Sequence, residues 1–263
     1  MSFNNSHSLQ ALIFDVDGTL ADTERDGHRV AFNRAFQAAG LEDVEWSIEL
    51  YSQLLSVTGG KERLRHYFQT MERERKFSDL DQTVKELHRL KTGYYKEIVM
   101  SGSIALRPGV KRLIEEARAA QVRLAIATTT TLENVTTLLK SSLDPSALDW
   151  FEVIAAGDMV PKKKPAPDIF EYALNHLSLE PSNCLAFEDS GHGLTSALTA
   201  GIPTLITVTD YTQNQNFTGA IAVLNNLGEP QQPCRIIQGQ LPPNSSSVCL
   251  STCEQILSSV AAR

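Results

Sequence analysis

The stretch that decides the fold is Gln10-Ala11-Leu12-Ile13-Phe14-Asp15-Val16-Asp17-Gly18-Thr19, a short apolar run that stops abruptly at two acids and a glycine. A run of this length with no polar alternation reads as a strand buried on both faces of a parallel sheet. In extended chain Asp15 and Asp17 project to the same side, roughly 6.6 Å apart along the strand. Gly18 then permits a sharp turn. Two carboxylates at the end of a buried strand are costly to desolvate unless they are paired or bind a metal. The competing reading of these residues is a plain Asp/Gly turn that closes a strand.

Working outward, similar apolar runs recur at residues 122–127, 184–187 and 203–208, with a weaker one at 221–224. Helical patterns lie between them at 110–120, 132–139, 168–177 and 193–200, and Gly201 fits a helix C-terminal glycine. Strands alternating with helices imply βαβ units and a doubly wound, Rossmann-like parallel sheet of the α/β class. Residues 23–102 break that rhythm. Val30, Ala31, Phe32, Ala35 and Phe36 recur at helical spacing up to Gly40, and 47–57, 62–72 and 79–100 follow as further helices. An all-helical insertion after the first strand is expected to be a second domain, 23–102, with 1–22 and 103–263 forming the sheet domain. Both connections then lie near the first strand's carboxyl end, where open α/β sheets bind ligands, and a lid there excludes water from a reaction. The tail from Tyr211 is rich in Gln, Asn, Pro and Ser and reads as loops with a little strand, then a helix over 251–261.

Composition bounds the function. The 263 residues carry 24 Lys+Arg against 31 Asp+Glu, a formal charge of −7, with 42% hydrophobic and 21% charged residues. That balance fits a soluble globular protein. The acid excess argues against nucleic acid or an anionic membrane as partner, and no apolar stretch approaches the ~20 residues of a membrane helix. The N-terminus lacks the basic start and apolar core of a signal peptide. Four scattered cysteines read as reduced thiols. A cytoplasmic protein is expected, or a plastid one if a transit peptide has been removed. Oligomeric state leaves no readable mark.

Two further motifs share the strand-end position of Asp15, and a third lies just before a helix. The run at 122–127 ends in Thr128-Thr129-Thr130-Thr131, which alone reads as a helix N-cap and solvated turn. Lys162-Lys163-Lys164-Pro165 precedes a helix; one lysine held by the prolines is a candidate for pointing inward. The run at 184–187 ends in Glu188-Asp189-Ser190-Gly191. In this order the four motifs resemble the haloacid dehalogenase-like hydrolase superfamily, and the helical insertion is similar to its C1 cap. The resemblance implies phosphoryl transfer, which needs an in-line nucleophile and neutralisation of the equatorial oxygens. Asp15 is then the nucleophile that forms an aspartyl-phosphate, and Asp17 the general acid and base. Thr128 and Lys164 hold the transferring phosphoryl. An all-oxygen ligand set suits Mg2+, with Asp15, the Asp17 main-chain carbonyl and Asp189 as ligands, and Glu188 direct or through water. The second acid, Asp17, favours a phosphatase or mutase over a dehalogenase, which expels halide without a proton, or a pump ATPase, which carries Thr there.

Within the insertion, Asp22-Thr23-Glu24-Arg25-Asp26-Gly27-His28-Arg29, Thr58-Gly59-Gly60-Lys61-Glu62-Arg63 and His88-Arg89-Leu90-Lys91-Thr92 are similar to the CbbY-type branch, as is Leu227-Gly228-Glu229-Pro230-Gln231-Gln232-Pro233 in the tail. That branch comprises Mg2+-dependent sugar-phosphate phosphatases associated with the Calvin cycle, acting on xylulose 1,5-bisphosphate. The likeness implies that Glu24 and His28 contact sugar hydroxyls and that Lys61, Arg63 and Lys91 grip a distal phosphate. Gly59, Gly60, His88 and Thr129 join the substrate contacts. Surface charge and an ordinary helix–helix turn are the competing readings of the same segments. The alternative activities are a β-phosphoglucomutase-like phosphomutase, a broad sugar-monophosphate phosphatase, or a silent binding module on the same fold.

Overall fold

In the computed structural model the described residues are 8–57, 59–72, 76–157 and 159–261. The chain divides into two compact units, one formed by residues up to Asp22 together with Ala105 onward, the other by Thr23–Ile104.

The first unit is built on a seven-stranded sheet. Its strands are β1 (Ala11–Phe14), β2 (Arg123–Ala127), β3 (Val153–Ala155), β4 (Cys184–Glu188), β5 (Thr204–Thr207), β6 (Ala222–Leu224) and β7 (Ile236–Gly239). Their spatial order is β3-β2-β1-β4-β5-β6-β7. All neighbours are parallel except β6 and β7, which pair antiparallel. From β1 the chain winds outward to β2 and β3, then returns to β4 on the other side of β1. The strand order therefore reverses between β1 and β4, and the crevice outside their carboxyl ends is where doubly wound sheets take ligands. Asp15 directly follows β1, and Glu188 ends β4 with Asp189 next.

Burial follows from the sequence pattern. All four β1 side chains are fully buried, as both-face coverage demands. On one face Ala11, Ile13, Ala125, Ala127 and Ala186 pack with Ile169, Phe170, Ala173 and Leu177 of the helix Asp168–Leu177. On the other, Phe14 stacks on Phe187 with ring centroids 4.6 Å apart. Small residues on the first face let the helix approach closely, and a fully buried Phe contributes about 1.5–3 kcal/mol.

Two strands depart from the sequence expectation. β3 is three residues long, too short to separate from a loop by periodicity. β7 is exposed along its whole length, so it shows no apolar alternation to read. The helix at 193–200 begins two residues earlier, at Gly191, because the Ser190 hydroxyl accepts from the Gly193 N–H at 3.1 Å and caps it. Gly201 follows it at φ +80°, the left-handed stop that the sequence predicts.

The second unit is all helical, with a widened turn over Glu24–His28 and helices Arg29–Ala38, Ile48–Leu54, Gly60–Thr70 and Leu80–Met100. Asp79 caps the last of these through the Gln82 N–H. Phe32, Phe36, Trp46, Tyr51, Tyr67 and Phe68 form its aromatic core, with successive ring centroids 4.7–6.4 Å apart. Thr58, part of one motif above, lies outside the described residues.

Candidate active site

The site in the sheet unit begins with Asp15, whose N–H donates to the Phe187 carbonyl at 3.0 Å and so continues the β1–β4 ladder one residue past the strand. The carboxylate is thereby fixed at the crevice. Lys164 reaches it from the loop before the Asp168–Leu177 helix: its ammonium donates to Asp15 Oδ1 at 2.7 Å, to the Ala127 carbonyl at 2.8 Å, and to Glu188 Oε1. Lys162 and Lys163 are exposed and Lys164 is buried, which resolves the lysine run into one inward and two solvated side chains. Thr128, also buried, donates its N–H to the Ala155 carbonyl at 3.0 Å, while its hydroxyl accepts from the Thr130 N–H at 3.3 Å. Thr129 is half-buried in the same loop.

Asp15, Glu188 and Asp189 each offer one carboxylate oxygen, and these lie within 4.8 Å of one another in a buried cluster. The electrostatics are strained accordingly. Burial, with Glu188 adding to it against the pull of Lys164, pushes the Asp15 carboxyl up to about 8. Burial followed by the Glu188 and Asp15 charges holds Asp189 well above the usual range. Lys164 loses by burial but gains more from Asp15 and Glu188, and its ammonium titrates above the ordinary lysine range. Once ionised, three close carboxylates outweigh one ammonium in a desolvated place. Such a cluster of hard oxygens fits a small divalent cation of the Mg2+ type. Asp17 is half-buried and outside the three-carboxylate group, so its candidacy as a ligand rests on its main chain.

The turn after Asp17 is closed by the Gly18 N–H donating to the Ala21 carbonyl at 2.8 Å and the Leu20 N–H to Val16 at 2.9 Å. Gly18 sits at φ +86°, and a Cβ there meets Asp189 Oδ2 at 2.3 Å. Gly18→Ala is expected to displace Asp189 as well as to add about 1–2 kcal/mol of left-handed strain. A several-degree fall in melting temperature together with weaker Mg2+ binding by calorimetry checks it; unchanged Mg2+ binding would refute the Asp189 displacement.

The helical unit gathers the second set of expected residues. Tyr51 donates to Glu24 Oε2 at 2.5 Å and accepts from Arg63 Nη1 at 2.8 Å, and Arg63 Nε donates to the Leu54 carbonyl at 3.2 Å. Lys91 is buried with its ammonium 2.7 Å from His28 Nδ1 and 5.1 Å from the Phe32 and Tyr95 ring centroids. His28 stacks on Tyr95 at 4.0 Å. His88 is half-buried beside Gly60, where a Cβ meets its ring at 3.0 Å. Burial, then the Lys91 and Lys61 charges, lower the His88 imidazole to about 4. It is therefore neutral near pH 7. Lys61 is exposed, and Gly59 and Gly60 open the Gly60–Thr70 helix. Tyr51 was not marked by any motif: it lies in an ordinary amphipathic helix, and only its contacts single it out.

The haloacid dehalogenase-like hydrolase family model matches residues 9–201. Protein CbbY of Rhodobacter capsulatus is 50% identical over 212 residues, covering 81% of this chain and 91% of that protein. Plasmid-borne CbbY of Cupriavidus necator is 47% identical over 226 residues, 86% and 88% of the two chains. Among solved structures, a CbbY variant from Rhodobacter sphaeroides in complex with xylulose 1,5-bisphosphate superposes with a TM-score of 0.73 at 43% identity, covering 83% of this chain and 94% of that one. Sequence, sheet order and strand-end residues thus agree, and the chain belongs to the haloacid dehalogenase-like hydrolases as a phosphatase of the CbbY type.

Proposed function

We propose that this enzyme is a Mg2+-dependent phosphatase that removes one phosphate from a sugar bisphosphate, with xylulose 1,5-bisphosphate as the favoured substrate, through an aspartyl-phosphate on Asp15. The observation that carries the reading is the buried Asp15–Lys164–Glu188–Asp189 cluster at the β1/β4 strand ends. The substrate rests on likeness to the R. sphaeroides protein, which binds that sugar bisphosphate.

In this mechanism an Asp15 carboxylate oxygen attacks phosphorus in line with the ester oxygen. The P–O ester bond breaks as Asp17 passes a proton to the leaving alkoxide. Water then attacks the acyl phosphate, Asp17 takes its proton, and phosphate leaves with Asp15 restored. Lys164 and Thr128 orient the transferring group, and Thr129 is assigned to the substrate contacts. Asp15, Asp189 and the Asp17 carbonyl would hold Mg2+, with Glu188 direct or through water. When bound, the cation neutralises charge on the phosphoryl oxygens. Arg63, Lys91 and Lys61 are assigned to the second phosphate, Glu24 and His28 to sugar hydroxyls, and Gly59, Gly60 and His88 to the same surface. The four thiols are free, which suits a reducing compartment and a cytoplasmic location. Among the described residues no helix is long and apolar enough to cross a membrane.

A phosphate-release screen over pentulose and hexose mono- and bisphosphates tests the proposal. Fast release from xylulose 1,5-bisphosphate, lost in EDTA, is expected; a positional isomer without phosphate release identifies a mutase instead. Because metal ligands bind deprotonated, and Asp15 is raised to about 8 by burial, the Mg2+ concentration at half-activity should climb as pH falls below that value. A flat Mg2+ requirement between about pH 9 and 6 would remove Asp15 from the ligand set. Lys91→Met should raise KM for the bisphosphate by about tenfold, the loss of one charged phosphate contact, with kcat for a monophosphate ester unchanged.

A further inference from the structure

Arg107 belongs to none of the motifs above, yet its guanidinium is one of the most heavily engaged groups in the sheet unit. It is 8% exposed. Nη1 donates to the Gly18 carbonyl, to the Thr207 carbonyl at 2.8 Å and, at 3.3 Å, to the Thr207 hydroxyl. Nη2 donates to the carbonyls of Val208 at 2.6 Å and Asn225 at 2.7 Å. Nε lies 3.4 Å from Asp22 Oδ1. The backbone joins in: the Arg107 N–H donates to the Leu20 carbonyl at 2.8 Å, and Leu106 bridges to Ala21.

These partners sort into a fixed group and a positioned group. Thr207, Val208 and Asn225 lie at or just past the carboxyl ends of β5 and β6, rigid parts of the sheet. Gly18, Leu20 and Asp22 belong to the turn that carries Asp17. A planar fork with five donors spans both groups in a single orientation, which the lysine ammonium cannot do. The turn in turn abuts the acid cluster, because Gly18 has so little clearance that a Cβ would meet Asp189 Oδ2 at 2.3 Å. Moving the Gly18 carbonyl therefore shifts Gly18, the neighbour of Asp17 in the chain, against Asp189.

We propose that Arg107 is a positioning residue that clamps the Asp17-Gly18-Thr19 turn to the β5 and β6 ends and so sets the spacing between Asp17 and the Asp15–Asp189 carboxylates. The inference rests on the proposed roles of Asp15 and Asp17. Misplacement of a reacting group by about 1 Å costs on the order of 100-fold in rate, whereas a residue of purely structural value changes melting temperature and leaves kcat of the folded fraction alone.

The test compares Arg107→Lys and Arg107→Ala with the parent enzyme, using p-nitrophenyl phosphate and Mg2+ well below each melting temperature. Both variants should lose about 10- to 100-fold in kcat with KM within about twofold, and calorimetry should find weaker Mg2+ binding without substrate. Added methylguanidinium should restore part of the Arg107→Ala kcat and none of the Arg107→Lys kcat. Parental kcat and Mg2+ affinity in the folded variants would overturn the proposal, as would failure of both to fold, which makes Arg107 a stability element. Asp15→Asn is run alongside. If that variant keeps its activity the proposed mechanism fails, a result separable from any obtained at Arg107.

Discussion

Asp15→Asn is expected to lower kcat by about 10⁴-fold or more, the scale on which loss of a catalytic nucleophile is felt, while the protein stays folded. The amide cannot form an acyl phosphate without losing its nitrogen, so the first bond-making step is blocked. Structure should survive because the substitution preserves size and keeps an oxygen for the Lys164 ammonium, which also retains the Ala127 carbonyl and Glu188. It further removes one of three crowded carboxylates. The parent Asp15 carboxyl, raised to about 8 mainly by burial, binds its proton more tightly folded than unfolded, so its ionisation weakens the metal-free fold as pH rises from the ordinary value of 3.8 through about 8. Metal-free Asp15→Asn should therefore equal or exceed the parent in melting temperature above that range. Phosphate release and thermal melting check both halves. Turnover within tenfold of the parent would end Asp15's candidacy. Equally, a beryllium trifluoride adduct located on another residue would redirect the whole mechanism.

What the sequence revealed, and what it hid, follows from how each feature is encoded. β1 was legible because burial on both faces leaves an uninterrupted apolar run, and the acids that end it stand out against that background. Lys164 was singled out by its likeness to the family motif and not by pattern alone: three consecutive lysines look alike, and tertiary packing decides that the third turns inward. β3 was hidden because the three residues Val153–Ala155 carry no period, although the parallel ladder to β2 makes them a strand. Arg107 and Tyr51 were hidden for a different reason. Each does its work through partners distant in sequence, Gly18 and Asn225 for one, Glu24 and Arg63 for the other. A lone Arg before Pro108-Gly109, where the chain re-enters the sheet unit, was the available signal. The helical insertion was recognisable by its lack of strands, but its internal charges could be sorted into buried and solvated ones only in three dimensions: Lys91 is buried, whereas Arg89 is exposed and bonded to Glu86 at 2.6 Å.

Lys164→Met carries the second large effect, and it separates two roles that one lysine combines. Lys164, Asp15 and Glu188 are all nearly inaccessible to water, with side-chain exposures of 6%, 10% and 1%. Removing the ammonium leaves two carboxylates without their shared counter-charge, and breaking a buried pair from one side costs about 3–5 kcal/mol. At about 2–4 °C per kcal/mol for a chain of this size, the metal-free melting temperature should drop by roughly 10 °C. The sign of its pH dependence is fixed by the carboxylates. Without Lys164 to pull it down, the Asp15 carboxyl rises further, so the penalty is smallest in acid, where the proton is held, and grows as pH climbs through about 8. Catalysis should fall by about 10³-fold, since the donor that neutralises a phosphoryl oxygen is lost in a desolvated site. Measured at a pH high enough to ionise the Asp15 carboxyl, Mg2+ affinity should hold or strengthen, because the ammonium that repels the cation is gone while the carboxylate oxygens remain. The combination of a low kcat, a lower metal-free melting temperature and an unweakened calorimetric Mg2+ constant is specific to a charge-balancing, phosphoryl-binding lysine. A variant that loses Mg2+ binding along with activity would instead make Lys164 the residue that orders the ligand carboxylates, and its contact with Asp15 would then matter for metal geometry rather than for the transferring group.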